Sequence, residues 1–138
     1  NGCTGQNSSP ELRWTALPNR TQALALIVHD PDAKAPGGWY HWLVVNIPAS
    51  QRTLGRDAGQ KNGPALPPGA LQTAISFGQP GYGGPCPPVG SGPHHYHFTL
   101  YALKAPLDVT ATDKPGQVEA AAKAASLGTA ELVGTFER

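Results

Sequence analysis

The sequence is short of charge and of long apolar runs, and both shortages narrow what it can be. Charged side chains make up 14% of its 138 residues, and 10 Lys and Arg against 9 Asp and Glu leave a net charge of +1. A nucleic-acid footprint normally shows as a basic patch, so this balance argues against that class of partner. No apolar stretch approaches the roughly 20 residues that a membrane-spanning helix needs. The glycine-rich segments lack a following Lys-Ser/Thr and a helix start, which excludes the phosphate loop of nucleotide enzymes. Ser76 and Ser91 lie in no Gly-x-Ser-x-Gly elbow. The only cysteines, Cys3 and Cys86, are too far apart for the Cys-x-x-Cys spacing of redox and zinc sites.

What the chain has in excess is Gly, 17, and Pro, 15, against usual shares of about 7% and 5%. Regular apolar runs lie between these turn formers, which speaks for a loop-rich β protein rather than disorder. Residues 22–29 place Leu24, Leu26 and Val28 on one face and Ala23, Ala25 and Ile27 on the other, as in a strand covered on both sides. Residues 40–47 read the same way, with His41, Leu43, Val45 and Ile47 expected to share a face. Further strands are expected at 95–103 and 130–136, with short ones at 12–14 and 71–76. Residues 50–69 read as a surface excursion. One helix is expected over 115–126, with Asp113 as N-cap, Pro115 in its first turn and Gly128 after its end. Successive strands without intervening helices predict an all-β antiparallel sandwich with a minor C-terminal helix, a single domain over 1–138. Trp14 and Phe136 are expected in its core.

Two segments concentrate the versatile side chains: Asp30-Pro31-Asp32-Ala33 with Trp39-Tyr40-His41-Trp42, and Gly81 to Pro88 with His94-His95-Tyr96-His97. Each joins a Gly/Pro-rich loop to a strand, and loops on a rigid sheet are where binding groups usually sit. Asp30 and Asp32 are either turn formers bonding nearby N–H groups or acceptors at a pocket mouth. His41 is a core histidine or a pocket donor, and Trp39 a wall of the cleft. His94 and Tyr96 are two apart and share a face in a regular strand. With His41 they supply donors suited to phosphate, sulfate or carboxylate oxygens. A neighbouring aspartate would keep an imidazole charged, so binding should weaken as pH rises through the histidine range. His95 and His97 could chelate a metal geometrically, but nothing close in sequence completes the set, and no metal or cofactor is expected.

The Asp-Pro-Asp-Ala, Trp-Tyr-His-Trp-Leu-Val-Val-Asn, Gly-Tyr-Gly-Gly-Pro-Cys-Pro-Pro and Pro-His-His-Tyr blocks, in this order, resemble the phosphatidylethanolamine-binding protein family, within it the bacterial Raf-kinase-inhibitor-like branch. The resemblance implies a β-sandwich whose pocket is lined by Asp30, Asp32, His41, His94 and Tyr96, with main chain near Gly84 and Cys86 closing its floor. The chain departs from it at Lys34, where a proline is usual, and lacks an N-terminal strand that members usually carry. The function implied is binding of a small anion or a phosphorylethanolamine headgroup, with regulation of a protein partner. An inhibitor-like interaction protein with a vestigial pocket is the alternative. A hydrolase stands third, for want of a nucleophile with a base in reach.

Cys3 and Cys86 are expected to pair, with two buried free thiols as the alternative. Closing a loop of roughly 80 residues contributes about 4–5 kcal/mol in the chain-entropy model. A disulfide fits a periplasmic or secreted protein, and free thiols a cytoplasmic one. The chain begins at Asn1 rather than Met, so a removed upstream segment is also expected.

Overall fold

Alternating apolar residues on both faces of one strand make it the centre of a sheet, and that strand organises the molecule. The computed structural model describes residues 3–138. Its strands are β1 (Leu12–Arg13), β2 (Ala23–Asp30), β3 (Trp39–Pro48), β4 (Thr53–Leu54), β5 (Leu71–Gln72), β6 (His94–Leu103) and β7 (Ser126–Phe136), with one helix, α1 (Pro115–Ala125). Five strands form an antiparallel sheet in the order β5-β3-β2-β6-β7, and β1 pairs with β4 in a two-stranded ribbon. On one face Ala23, Ala25 and Ile27 pack with Leu43, Val45, Leu103 and the helix residues Val118 and Ala122. On the other, Leu24, Leu26 and Val28 pack with Trp42, Val44, Ile47 and Leu54. The second layer is thus the β1–β4 ribbon and the loops beside it. Thr53–Leu54 lies inside the stretch expected to be a surface excursion, and only Leu71–Gln72 of 71–76 forms a strand.

The expected face of β3 is broken twice. Leu24 pairs with Ile47 but Leu26 with Val44, and Val28 pairs with Trp42 but His29 with Tyr40. Each shift is a bulge, in which two residues oppose one. At the first, Asn46 adopts φ 56°, a left-handed conformation that asparagine tolerates better than most residues. Its amide is held on both sides, donating to Leu107 O at 3.0 Å and accepting from Leu107 N at 2.7 Å. The result moves Ile47 to the ribbon face. At the second bulge His41 is the extra residue.

Helix α1 is capped differently from expectation. Lys114 is the N-cap and its side chain makes no capping bond, while Asp113 accepts from Thr110 N at 2.9 Å. The chain passes from Ala125 directly into β7, so Gly128 is a strand residue paired with Ala102 rather than a helix stop. That strand is an edge: Leu132 is 61% and Phe136 45% exposed, so Phe136 is not core. Trp14 is half-buried against the ribbon-face cluster, and its Nε1 donates to Gln51 O at 2.8 Å.

Cys3 and Cys86 are joined across 83 residues with their Cα atoms 6.1 Å apart, tying the N-terminal arm to the loop after Gly81. Asn7 adds to this tie, its Oδ1 accepting from Gly84 N at 2.6 Å. Intact mass under non-reducing conditions should show no titratable thiol. Reduction should lower unfolding free energy by about 4–5 kcal/mol; an unchanged denaturation midpoint after complete reduction would contradict this.

Candidate functional site

Asp30 ends β2 just where Gly38 brings the returning strand against it. Gly38 has φ 77°, and a Cβ there would lie 2.5 Å from Asp30 O, so only glycine allows this approach. The Asp30-Pro31-Asp32 turn then straddles the start of β6. Asp30 Oδ2 lies 2.6 Å from His94 Nδ1, and its Oδ1 accepts from Asp32 N at 2.8 Å. On the other side Asp32 Oδ2 accepts from His95 N at 2.8 Å and lies 2.7 Å from His95 Nδ1. The Asp30–His94 pair is buried and the Asp32–His95 pair half-exposed. These bonds, the His95 side chain first, hold the Asp32 carboxyl below its ordinary range.

The second bulge of β3 turns His41 towards the same place. Its ring meets that of Tyr96 at 5.2 Å between centroids and that of Phe77 at 5.9 Å. His41 Nδ1 donates to Gly83 O at 2.6 Å, while Gly83 N donates to His41 O at 2.8 Å. A Cβ on Gly83 would sit 2.8 Å from the Phe77 ring, so a side chain at this doubly bonded loop residue would displace that ring. Burial pushes the His41 imidazole below its ordinary range, outweighing the Gly83 carbonyl and Asp30, which favour the charged form. For His41, burial thus outweighs the neighbouring aspartate that was expected to keep an imidazole charged. Its Nδ1 keeps the hydrogen and its Nε2 carries the lone pair.

Asp30, Asp32, Trp39, His41, His94 and Tyr96 line one cavity of about 380 Å³. Gly84 does not join them. It lines the neighbouring cleft, and its N–H is already given to Asn7. Cys86 lines both spaces. Burial pushes the Tyr96 hydroxyl up to about 12, so it stays a donor at any ordinary pH. Lys34, Phe77 and Ser91, outside the set expected for the pocket, are among the other lining residues. Lys34 was visible only as a departure from the family pattern. Ser91 Oγ lies 3.0 Å from His94 Nε2 and 2.7 Å from Pro88 O, a contact signalled only by the three-residue spacing before a strand. His97 faces Glu131 at 3.3 Å, so His95 and His97 are held by different carboxylates. Among the described residues no group of three or more His, Cys, Asp or Glu could hold a metal ion.

This fold is that of the phosphatidylethanolamine-binding proteins. The chain belongs to that family, whose model matches residues 1–137. It is 44% identical over 137 residues to the Escherichia coli K12 protein YbcL, covering 99% of this chain and 75% of that one. A Methanothermobacter thermautotrophicus relative is 41% identical over 139 residues, covering 99% and 87%. The Mycobacterium tuberculosis protein LppC, whose name describes a lipoprotein, is 44% identical over 137 residues, 98% of this chain and 63% of LppC. The crystal structure of YbcL, described as a member of the mammalian PEBP family, superposes with a TM-score of 0.97 at 43% identity, over 99% of this chain and 84% of that chain. The Chlamydia trachomatis homologue CT736 superposes at 0.82 with 33% identity, over 99% and 85%.

Removing one partner of a buried pair leaves the other uncompensated, a loss of about 3–5 kcal/mol. Asp30→Ala should therefore shift the urea midpoint strongly downward, and Asp32→Ala, whose pair is open to solvent, much less. Equal midpoints for the two variants would contradict the geometry.

Proposed function

We propose that this cavity binds a small oxyanion of the phosphate type, and that a phosphorylethanolamine-like headgroup fits it best. The observation that carries the reading is the convergence of donors. His94, Tyr96 and Lys34, which carry imidazole, hydroxyl and ammonium donors, line one cavity of about 380 Å³. Ser91 Oγ donates its hydrogen to Pro88 O at 2.7 Å, so its oxygen faces His94 Nε2 as an acceptor. With Asp30 accepting at Nδ1, both ring nitrogens of His94 face acceptors, an arrangement that the imidazolium satisfies. An entering oxyanion replaces Ser91 as the Nε2 partner and makes a charge-assisted bond.

Bound anion also draws a proton onto His41, whose Nε2 is otherwise a lone pair. Burial lowers the His41 pKa, so its contribution to binding is present at acid pH and is lost as pH rises through a range below that of a free histidine. The ammonium of an ethanolamine headgroup finds Asp32, whose Oδ2 is occupied by His95 and whose other oxygen remains for it. A disulfide persists in oxidising compartments, and one relative bears a lipoprotein name; both support a protein that works outside the cytoplasm. No helix among the described residues is long and apolar enough to cross a membrane.

Sulfate keeps one charge across the histidine range and is the cleaner pH probe. Its affinity should fall as pH rises through the range below that of a free histidine, where His41 loses its charge, and His94→Ala should weaken it by roughly ten- to a hundredfold. Phosphorylethanolamine should bind tighter than phosphate to the native protein and no tighter to Asp32→Asn. Isothermal titration reads all three; a pH-independent affinity would contradict the proposal.

A further inference from the structure

We propose that Ser91, His94 and Asp30 form an acyl-transfer relay, and that the pocket cleaves short carboxylic esters when His94 is neutral. The three groups stand in series: Ser91 Oγ lies 3.0 Å from His94 Nε2, and His94 Nδ1 lies 2.6 Å from Asp30 Oδ2. This is the order of nucleophile, base and orienting carboxylate that activates a serine hydroxyl, and it is recognised by geometry and not by sequence position. Base and carboxylate are buried, and the second Asp30 oxygen is fixed by Asp32 N at 2.8 Å. The nucleophile is exposed, on a turn between Gly90 at φ 79° and Gly92 at φ 83°. All three line the same cavity.

The Ser91 hydroxyl has one hydrogen and two acceptors within reach, Pro88 O at 2.7 Å and His94 Nε2 at 3.0 Å. With His94 charged, the hydrogen turns to Pro88 and the imidazolium serves an anion. With His94 neutral, Nδ1 keeps its hydrogen and donates it to Asp30 Oδ2, and the hydroxyl hydrogen turns to the free Nε2 lone pair. Anion binding and ester cleavage thus use opposite protonation states of one residue.

In the reaction, Ser91 Oγ bonds to the ester carbonyl carbon as its hydrogen passes to His94 Nε2, and the carbonyl oxygen takes up the electron pair. The Tyr96 hydroxyl, on a residue lining the cavity, is the donor offered to that oxyanion. Collapse of the intermediate breaks the ester C–O bond, and the leaving alkoxide takes the proton from His94. Water then attacks the acyl-serine, its proton passing to His94 and from there to Ser91 Oγ as the carboxylic acid leaves. Trp39, Phe77, Pro87 and Pro88 wall a space of about 380 Å³, which suits a short acyl group.

The full disulfide-bonded chain, treated with an alkyl fluorophosphonate at about pH 8, should gain one adduct, mapped by peptide mass to Ser91. Ser91→Ala should gain none while keeping its melting temperature, since Ser91 is exposed. His94→Gln should label about a hundredfold more slowly. Should that variant unfold, the native labelling rate measured against that of Ser91→Ala serves instead. Turnover of p-nitrophenyl acetate should follow the same pattern. Labelling of the native protein no faster than of Ser91→Ala, or an adduct elsewhere, would overturn the relay. Sulfate binding by Ser91→Ala at about pH 5 tests the anion reading separately, since that reading does not need the hydroxyl.

Discussion

One turn grips one strand end, and the pocket depends on that grip. Asp30 and Asp32, separated by a proline, reach past opposite sides of the β6 start and take hold of His94 and His95. Burying two polar, titratable groups is costly, and the cost is recovered only with good geometry and further hydrogen bonds. Asp30 meets that condition by using both oxygens, one on His94 and one on the Asp32 amide. The proline between them keeps Asp30 extended, so its carboxylate is directed before any ligand arrives. Because β2 lies at the middle of the sheet and β6 beside it, the grip is anchored in the part of the fold least able to move.

The rest of the pocket is brought to this pair by irregularities in otherwise regular strands. A β3 without bulges would carry His41 with Leu43 and Val45 into the helix-side core. The extra residue at His41 instead sets it beside Tyr96 and Phe77. The loop bearing Gly83 locks it there through two hydrogen bonds, and the disulfide fastens that loop to the N-terminal arm. Bulges commonly re-aim a side chain next to a functional site, and here the re-aimed residue is a histidine whose buried ring stays neutral more readily than a free one.

Much of this was legible in the residues. The two-faced apolar pattern of β2 marked the sheet centre, and its faces divide as the alternation requires. The clustering of aspartates and histidines marked the lining of the cavity. Strand alternation failed at Ile47 and His41, because period-two reasoning has no means to place an inserted residue; Asn46 in mid-strand was the one local hint. The helix cap failed because Asp113 closes its own turn on Thr110 instead. The apolar run that Phe136 closes reads as a core strand, yet β7 is an edge strand with one neighbour among the described residues. Ser91 was set aside for lacking a known motif, and its place beside His94 arises only from the fold of the turn.

The central claim is that a carboxylate-held histidine and its neighbours form an oxyanion receptor. A crystal structure of the protein grown at acid pH with sulfate or phosphate tests this most directly. The account predicts the anion within hydrogen-bond distance of His94 Nε2 and the Tyr96 hydroxyl, with the Asp30–His94 bond intact. An empty cavity with the anion ordered elsewhere, or His94 turned away from Asp30, would contradict it.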